Sequence, residues 1–383
     1  MTSRVGLDGR ALGNINKNRG IGRYTARLVE ALCGQNNGFE LVLFGYGDGP
    51  EPGLIDSAAL ESIEWHRLSG FERSAYGDPR GHLRFARAVN DSGVGLFHGI
   101  DHNMTPFLSC RSIVTVHDLI PLVLRGPYLG PKSWLWMKAH RAACRKADRV
   151  IAVSDSTRDD VERLWNIPAD RIEVVAEGVS SDYVPVSGAE LEDALARYGI
   201  SQPYFLYIGG FDPRKNIGNM LVAFKRYLHG GGQGVIVLCG DTGGFEEYLC
   251  DEIDQLGMRD SVLLPGFIDD DDLPALYSGA RALVFVSTYE GFGLPLLEAM
   301  ACDTPVLASD VSSIPGVVGK AAVMVDPLDP SAIARGLAAL SGESAERSEL
   351  VRLGRERAAQ FTWDKAASRI SGIYDDVLRG GAR

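Results

Sequence analysis

Short apolar runs separated by amphipathic stretches recur along the whole chain. In the first half, Arg4–Asp8, Glu40–Gly45, Gly95–His98, Ser112–His117 and Arg149–Val153 read as strands. Their continuous apolar character, rather than strict alternation, predicts burial on both faces of a parallel sheet. Helical segments, Gly22–Leu32 among them, lie between these runs, and Ser154-Asp155-Ser156 reads as a helix N-cap. The second half repeats the rhythm with strands at Tyr204–Gly209, Gly234–Gly240, Ser261–Pro265, Arg281–Val286, Pro305–Ser309 and Ala322–Val325. Pro185, Gly188 and a polar helical stretch, Ala189–Tyr198, mark the join near Tyr183–Gln202. The pattern predicts an α/β chain of two doubly wound, Rossmann-like domains, 1–185 and 186–361, facing across a cleft, with a helix in 362–383. Ligands in such sheets bind outside the carboxyl ends of the strands, so the chemistry should sit there.

Composition narrows the class. With 383 residues, 45% hydrophobic and 23% charged, the chain is long enough for two domains and reads as globular. It contains no run of about 18 apolar residues, and its first residues enter a strand without an apolar leader. Six scattered cysteines, at 33, 110, 144, 239, 250 and 302, without C-x-x-C spacing, read as reduced core residues of a cytoplasmic protein. Residues 1–185 hold 22 basic and 22 acidic side chains, and the rest 17 and 28, so the net charge of −11 lies in the second half. An acidic half argues against nucleic acid as the partner. Within 123–149, seven basic residues stand against Asp148 alone, with Tyr128, Trp134 and Trp136 interleaved. Such a segment suits either a solvated basic helix face or peripheral contact with the anionic inner face of a membrane.

Several stretches carry candidate chemistry. Gly20-Ile21-Gly22-Arg23-Tyr24-Thr25 opens a helix after the first strand but lacks the third glycine of the dinucleotide fingerprint and the acid after the second strand. It remains suited to holding a diphosphate at a helix N-terminus, or to a plain turn, and the loop before it, 13–19, suits a mobile lid. Gly209-Gly210-Phe211-Asp212-Pro213-Arg214-Lys215-Asn216 puts a guanidinium fork and an ammonium at a strand's carboxyl end, where they can neutralise a diphosphate. His117 ends the Ser112–His117 strand, either as a hydrogen-bonded core residue or as a site group; His98 and His102 end another and face the acceptor or, less favourably, hold a metal with Asp101. Asp269–Asp272 contains D-x-D, which can hold a divalent ion, although its place before Leu273-Pro274 suits helix capping. The last stretch is Glu290-Gly291-Phe292-Gly293-Leu294-Pro295-Leu296-Leu297-Glu298. Glycines beside a helix start expose the N–H groups of Phe292, Gly293 and Leu294 to an anion, with one carboxylate on either side.

This E-x7-E block around F-G-L-P, together with Arg214-Lys215-Asn216 after glycines, Val116-His117-Asp118-Leu119 and Ser309-Asp310-Val311…Ile314-Pro315-Gly316, closely resembles the retaining GT-B glycosyltransferases of family 4 (glycosyl transferases group 1). The resemblance covers most of the chain. It implies that Glu298 accepts from the ribose hydroxyls, Glu290 faces the donor sugar, backbone at Ile268 meets the nucleobase and His117 lies beside the transferred sugar. It also implies that the loop 13–19 with Gly20 and Gly22 contacts the donor, and that the last helix crosses back onto the first domain. Arg214, Lys215, Gly210 and the Phe292–Leu294 amides would then stabilise a departing diphosphate, which itself takes the acceptor proton, without metal or other cofactor. The opening Val5-Gly6-Leu7-Asp8-Gly9-Arg10 looks most like bacterial mannosyltransferases of O-antigen and exopolysaccharide assembly. That suggests GDP-mannose as donor and a saccharide or lipid-linked saccharide as acceptor. A UDP-glucose or UDP-N-acetylglucosamine transferase, a sugar-nucleotide epimerase and a catalytically silent subunit remain as alternatives; hydrolysis fits poorly, because the Arg-Lys pair would serve no purpose for a neutral glycoside.

Overall fold

The computed structural model describes residues 3–13, 20–35, 38–50, 53–68, 79–241 and 243–380. The chain divides into two units, one running to Gly178 and resuming at Trp363, the other spanning Val179–Thr362. The first is built on a sheet of β1 (Ser3–Asp8), β2 (Phe39–Gly45), β3 (Glu64–Arg67), β4 (Leu96–Gly99), β5 (Arg111–Val116), β6 (Arg149–Ala152) and β7 (Ile172–Val174). The second contains β8 (Tyr204–Ile208), β9 (Val235–Cys239), β10 (Val262–Gly266), β11 (Leu283–Phe285), β12 (Val306–Ser309) and β13 (Val323–Val325). Every pairing is parallel, in the orders β3-β2-β1-β4-β5-β6-β7 and β10-β9-β8-β11-β12-β13.

These orders follow from the strands' composition. Central strands such as β9 (Val-Ile-Val-Leu-Cys) are buried along their whole length, so both faces need helices and the connections must cross over. Eleven of these strands match the apolar runs of the sequence within a residue or two at each end. The other two, β3 and β7, are sheet edges: Glu-Trp-His-Arg is exposed at both ends, and Ile-Glu-Val is three residues long. Each sheet reverses its winding once, between β1 and β4 in the first and between β8 and β11 in the second. There the loops leaving adjacent strands run to opposite faces and open a crevice at the carboxyl edge.

Helix ends follow local chemistry. Ser154 caps Asp155–Trp165, accepting from the N–H of Thr157. The last helix, Trp363–Arg379, packs on Gly20–Cys33 within the first unit; Trp363 meets Tyr24 edge-on at 5.3 Å and Tyr374 hydrogen-bonds His98. His98 is fully buried, with Nδ1 2.6 Å from the Tyr374 hydroxyl and Nε2 2.9 Å from Thr115 Oγ1. Burial pushes its pKa down to about 3. It is therefore a neutral core residue and not the acceptor-facing or metal-binding group that its place at a strand end suggested. In the helix Pro131–Lys146, Trp134 and Leu135 are exposed and the Lys138 ammonium lies 3.5 Å over the Trp134 ring. No described helix is long and apolar enough to cross a membrane.

Candidate functional site

The loops leaving β8 and β11, on either side of the second switch point, supply the densest set of buried charges in the second unit. After β8 the backbone passes through Gly209, and a Cβ placed on the neighbouring Gly240 would lie 1.9 Å from the Gly209 carbonyl, so only glycine fits there. The loop through Gly210 then closes a 3-10 turn at Pro213–Lys215 and ends on Asn216, left-handed at φ +63°. Asn216 earns that strained backbone with its side chain: Nδ2 donates to Val286 O at 2.9 Å and Pro327 O at 2.7 Å, fastening the β8 loop to the end of β11. The Thr288 N–H adds a bond to Arg214 O at 2.8 Å.

This clamp brings Arg214 and Lys215 onto Glu290. Arg214 Nη1 donates to Glu290 Oε2 at 2.5 Å and to Tyr289 O at 3.1 Å, and Lys215 Nζ donates to Glu290 Oε1 at 2.6 Å. Arg214 Nε also lies 3.2 Å from Asp212. Burial alone would push the Glu290 carboxyl up, but the Lys215 and Arg214 charges outweigh it and hold the group below the usual carboxylate range. The loop that carries Glu290 is braced by serines. Ser312 Oγ accepts from the Glu290 N–H at 3.0 Å, and Ser313 Oγ donates to the Glu290 and Phe292 carbonyls.

Next in the chain, Gly293 caps the helix Leu294–Ala301 at φ +118°, a backbone that strongly favours glycine. The helix begins at Leu294, so Pro295 is its second residue, within the first turn, where its missing N–H costs nothing. The N–H groups of Phe292, Gly293 and Leu294 have no acceptor among the described residues. One turn on, Glu298 is buried and accepts from the Tyr277 hydroxyl at 2.7 Å. Ile268 follows β10 and is buried. Asp272 does not cap with its side chain; it accepts from the Tyr198 hydroxyl at 2.8 Å and pairs with Arg197. The D-x-D run is thus tied by Asp272 to the helix Ala189–Arg197 rather than to a helix end.

In the first unit, Gly20 and Gly22 lie in the first turn of the helix Gly20–Cys33, while 14–19, the greater part of the expected lid, fall outside the described residues. His117 follows β5. Its Nδ1 lies 3.2 Å from Glu177 Oε1 and its Nε2 2.9 Å from Ile100 O, with Tyr24 edge-on at 4.5 Å. Both partners are acceptors, so these surroundings favour the doubly protonated ring. Burial opposes that charge, but Glu177 outweighs it and raises the pKa. The sequence singles out His117 without its partner Glu177, 60 residues away. The Asp8-Gly9-Arg10 motif is a buried pair: Arg10 Nε and Nη2 donate to the two Asp8 carboxylate oxygens at 2.8 and 2.7 Å, and Nη2 reaches Asn103 O at 2.6 Å.

Comparisons with known proteins agree with this layout. Residues 18–183 match the model described as Glycosyltransferase Family 4, and residues 196–357 match Glycosyl transferases group 1. The chain is 33% identical over 369 residues to O-antigen chain mannosyltransferase B of Escherichia coli, covering 93% of this chain and 95% of that one. It is 30% identical over 301 residues, 74% of either chain, to alpha-maltose-1-phosphate synthase of Mycolicibacterium smegmatis. Among solved structures, sucrose-phosphate synthase from Thermosynechococcus elongatus superposes with a TM-score of 0.78 at 23% identity, covering 99% of this chain and all of that one. Anabaena Alr3699/HepE in complex with UDP and glucose gives 0.76 at 15% identity, covering 98% and 100% of the two chains, a likeness of fold.

Proposed function

The chain belongs to glycosyltransferase family 4, and we propose that it moves a hexosyl group, mannose from GDP-mannose, to a saccharide or lipid-linked saccharide with retention of anomeric configuration. The observation that carries this reading is the Arg214–Lys215–Glu290 cluster beside a helix start with three N–H groups that have no acceptor among the described residues. The kinship to a mannosyltransferase over nearly the whole chain supports the choice of sugar.

The parts then divide the work. Arg214, Lys215 and the Phe292–Leu294 amides compensate the charge that grows on the departing diphosphate, where low dielectric makes each contact count. Glu298, oriented by Tyr277, accepts from the ribose hydroxyls, and the backbone at Ile268 meets the base. Glu290 holds the two cations in place and turns a carboxylate oxygen toward the donor sugar. The acceptor hydroxyl attacks the face that the diphosphate leaves, and a phosphate oxygen takes its proton. Gly20, Gly22 and Gly210 let backbone approach the donor, and His117, held between Glu177 and Ile100 O, acts by charge and position. The positive charge present in these side chains is what a metal would otherwise supply.

A thermal-shift series with GDP-, UDP-, dTDP- and ADP-sugars tests the donor. A ligand at 100 times its dissociation constant stabilises by roughly 2.7 kcal/mol, which for a domain of this size raises the midpoint by roughly 5–10 °C. GDP-mannose should give the largest rise. A larger rise with a UDP-sugar would reassign the donor, and no rise with any of them would sink the site.

A further inference from the structure

The turn Phe292–Leu294 is held from behind by a residue that lies outside the Glu290 cluster. Arg357 stands in the last turn of the helix Ala345–Ala358, half-buried. Its Nε donates to Val317 O at 2.8 Å and its Nη2 to Gly316 O at 2.5 Å. Both carbonyls belong to the end of the short helix Ile314–Val318, where no following turn can receive them. A guanidinium fork reaches the two at once and puts positive charge at that helix's negative end. The same guanidinium lies 4.6 Å from the centre of the Phe361 ring. Phe361 is anchored by its backbone, which accepts from the Val179 N–H at 3.1 Å and donates to Ala358 O at 2.9 Å. Its ring meets the Phe292 ring edge-on at 6.0 Å.

Arg357 therefore reaches the turn by two routes. One runs through the helix Ile314–Val318 to the two serines that precede it. Ser312, which accepts from the Glu290 N–H, holds a left-handed backbone at φ +54°. A residue with a side chain keeps that conformation only where its surroundings impose it. Ser313 donates to the Phe292 carbonyl at 2.8 Å, and that carbonyl shares its peptide plane with the Gly293 N–H. Holding the one aims the other. The second route runs through Phe361 to the Phe292 ring, so the residue is gripped by both side chain and backbone. An anion cradle works when its donors are aimed before charge develops, and a misplacement of about 1 Å can cost about 10²-fold in rate.

We propose that Arg357 and Phe361 are positioning residues for transfer, which together hold the Phe292–Leu294 amides on the departing diphosphate. The inference rests on the reading of that turn as the diphosphate cradle and deepens it. Arg357→Met keeps the stem and removes the fork. In the full chain its kcat with the preferred donor should fall about tenfold and KM stay within about threefold, because the aim of the donors matters most as charge grows. The phosphorus resonances of bound GDP should shift with it, a signature that a loss of stability alone does not produce. Arg357→Lys, which keeps the charge and one point of attachment, should recover part of the rate. Arg355→Met is the control: Arg355 stands two residues earlier on the same helix, its Nε 2.9 Å from Asp303 Oδ1, and its loss should leave kcat within about twofold. Wild-type kcat in Arg357→Met, or equal losses in Arg357→Met and Arg355→Met, overturns the positioning role and leaves the cradle standing. Should Arg357→Met fail to fold, Arg357→Lys decides: a lowered kcat with shifted phosphorus resonances supports the role, and wild-type values overturn it. A wild type that binds no nucleoside diphosphate overturns the cradle itself.

Discussion

Lys215→Ala is expected to lower the transfer rate by about 10²–10³-fold, the usual effect of removing one preorganised donor to a developing oxyanion. The ammonium is buried and touches Glu290 at 2.6 Å, so it is desolvated before the donor arrives and has no water to reorganise as the diphosphate leaves. In such surroundings its charge acts far more strongly than an exposed lysine's. Arg214 stays on Glu290 in the variant, which keeps the carboxylate paired and the fold in place. Rates with the preferred donor, read beside a thermal melt that matches the wild type, check this. Wild-type turnover would remove Lys215 from the site.

Glu290 should behave in a less obvious way. Glu290→Ala leaves two buried cations without their carboxylate, and breaking a buried pair from one side costs about 3–5 kcal/mol, so this variant confounds chemistry with stability. Glu290→Gln keeps the shape and one acceptor oxygen. Its transfer rate should fall about 10²-fold, while nucleoside diphosphate affinity should hold or rise. The rise has a simple cause: the diphosphate no longer competes with a carboxylate for Arg214 and Lys215. Calorimetry of GDP binding and steady-state rates on the same preparation decide it. A fall in GDP affinity alongside the rate would mean that Glu290 anchors the nucleotide instead of poising the cations.

How much of this could be read from the chain depends on sequence separation. The E-x7-E block is contiguous, so its loop, glycine turn and helix could all be placed from residue order alone, as could the strands that precede each motif. What could not be read are the partners. Tyr277 reaches Glu298 across 21 residues, Ser312 reaches Glu290 across 22, Asn216 reaches Val286 across 70 and Arg10 reaches Asn103 across 93. Tyr277 and Ser312 stand in no motif, and although Asn216 and Arg10 do, only the sheet order brings each of the four to its partner. His98 and Asp269–Asp272 show the converse. Both have the residue types of a site and the right place beside a strand, yet His98 is spent on Tyr374 and Thr115, and Asp272 on Arg197 and Tyr198. The edge strands β3 and β7 escaped notice because an edge needs neither length nor a second apolar face.

Retaining transfer from a nucleoside diphosphate sugar is the claim on which the rest depends. The most direct test is to incubate the purified chain with GDP-α-D-mannose and a mannobiose acceptor, and to follow the anomeric signals by NMR from the first turnover. The account predicts a new α-linked mannosyl signal growing as donor and acceptor signals fall, with GDP released in equal amount. A β-linked product, or sugar returned only as an epimerised nucleotide sugar with the acceptor untouched, would contradict it.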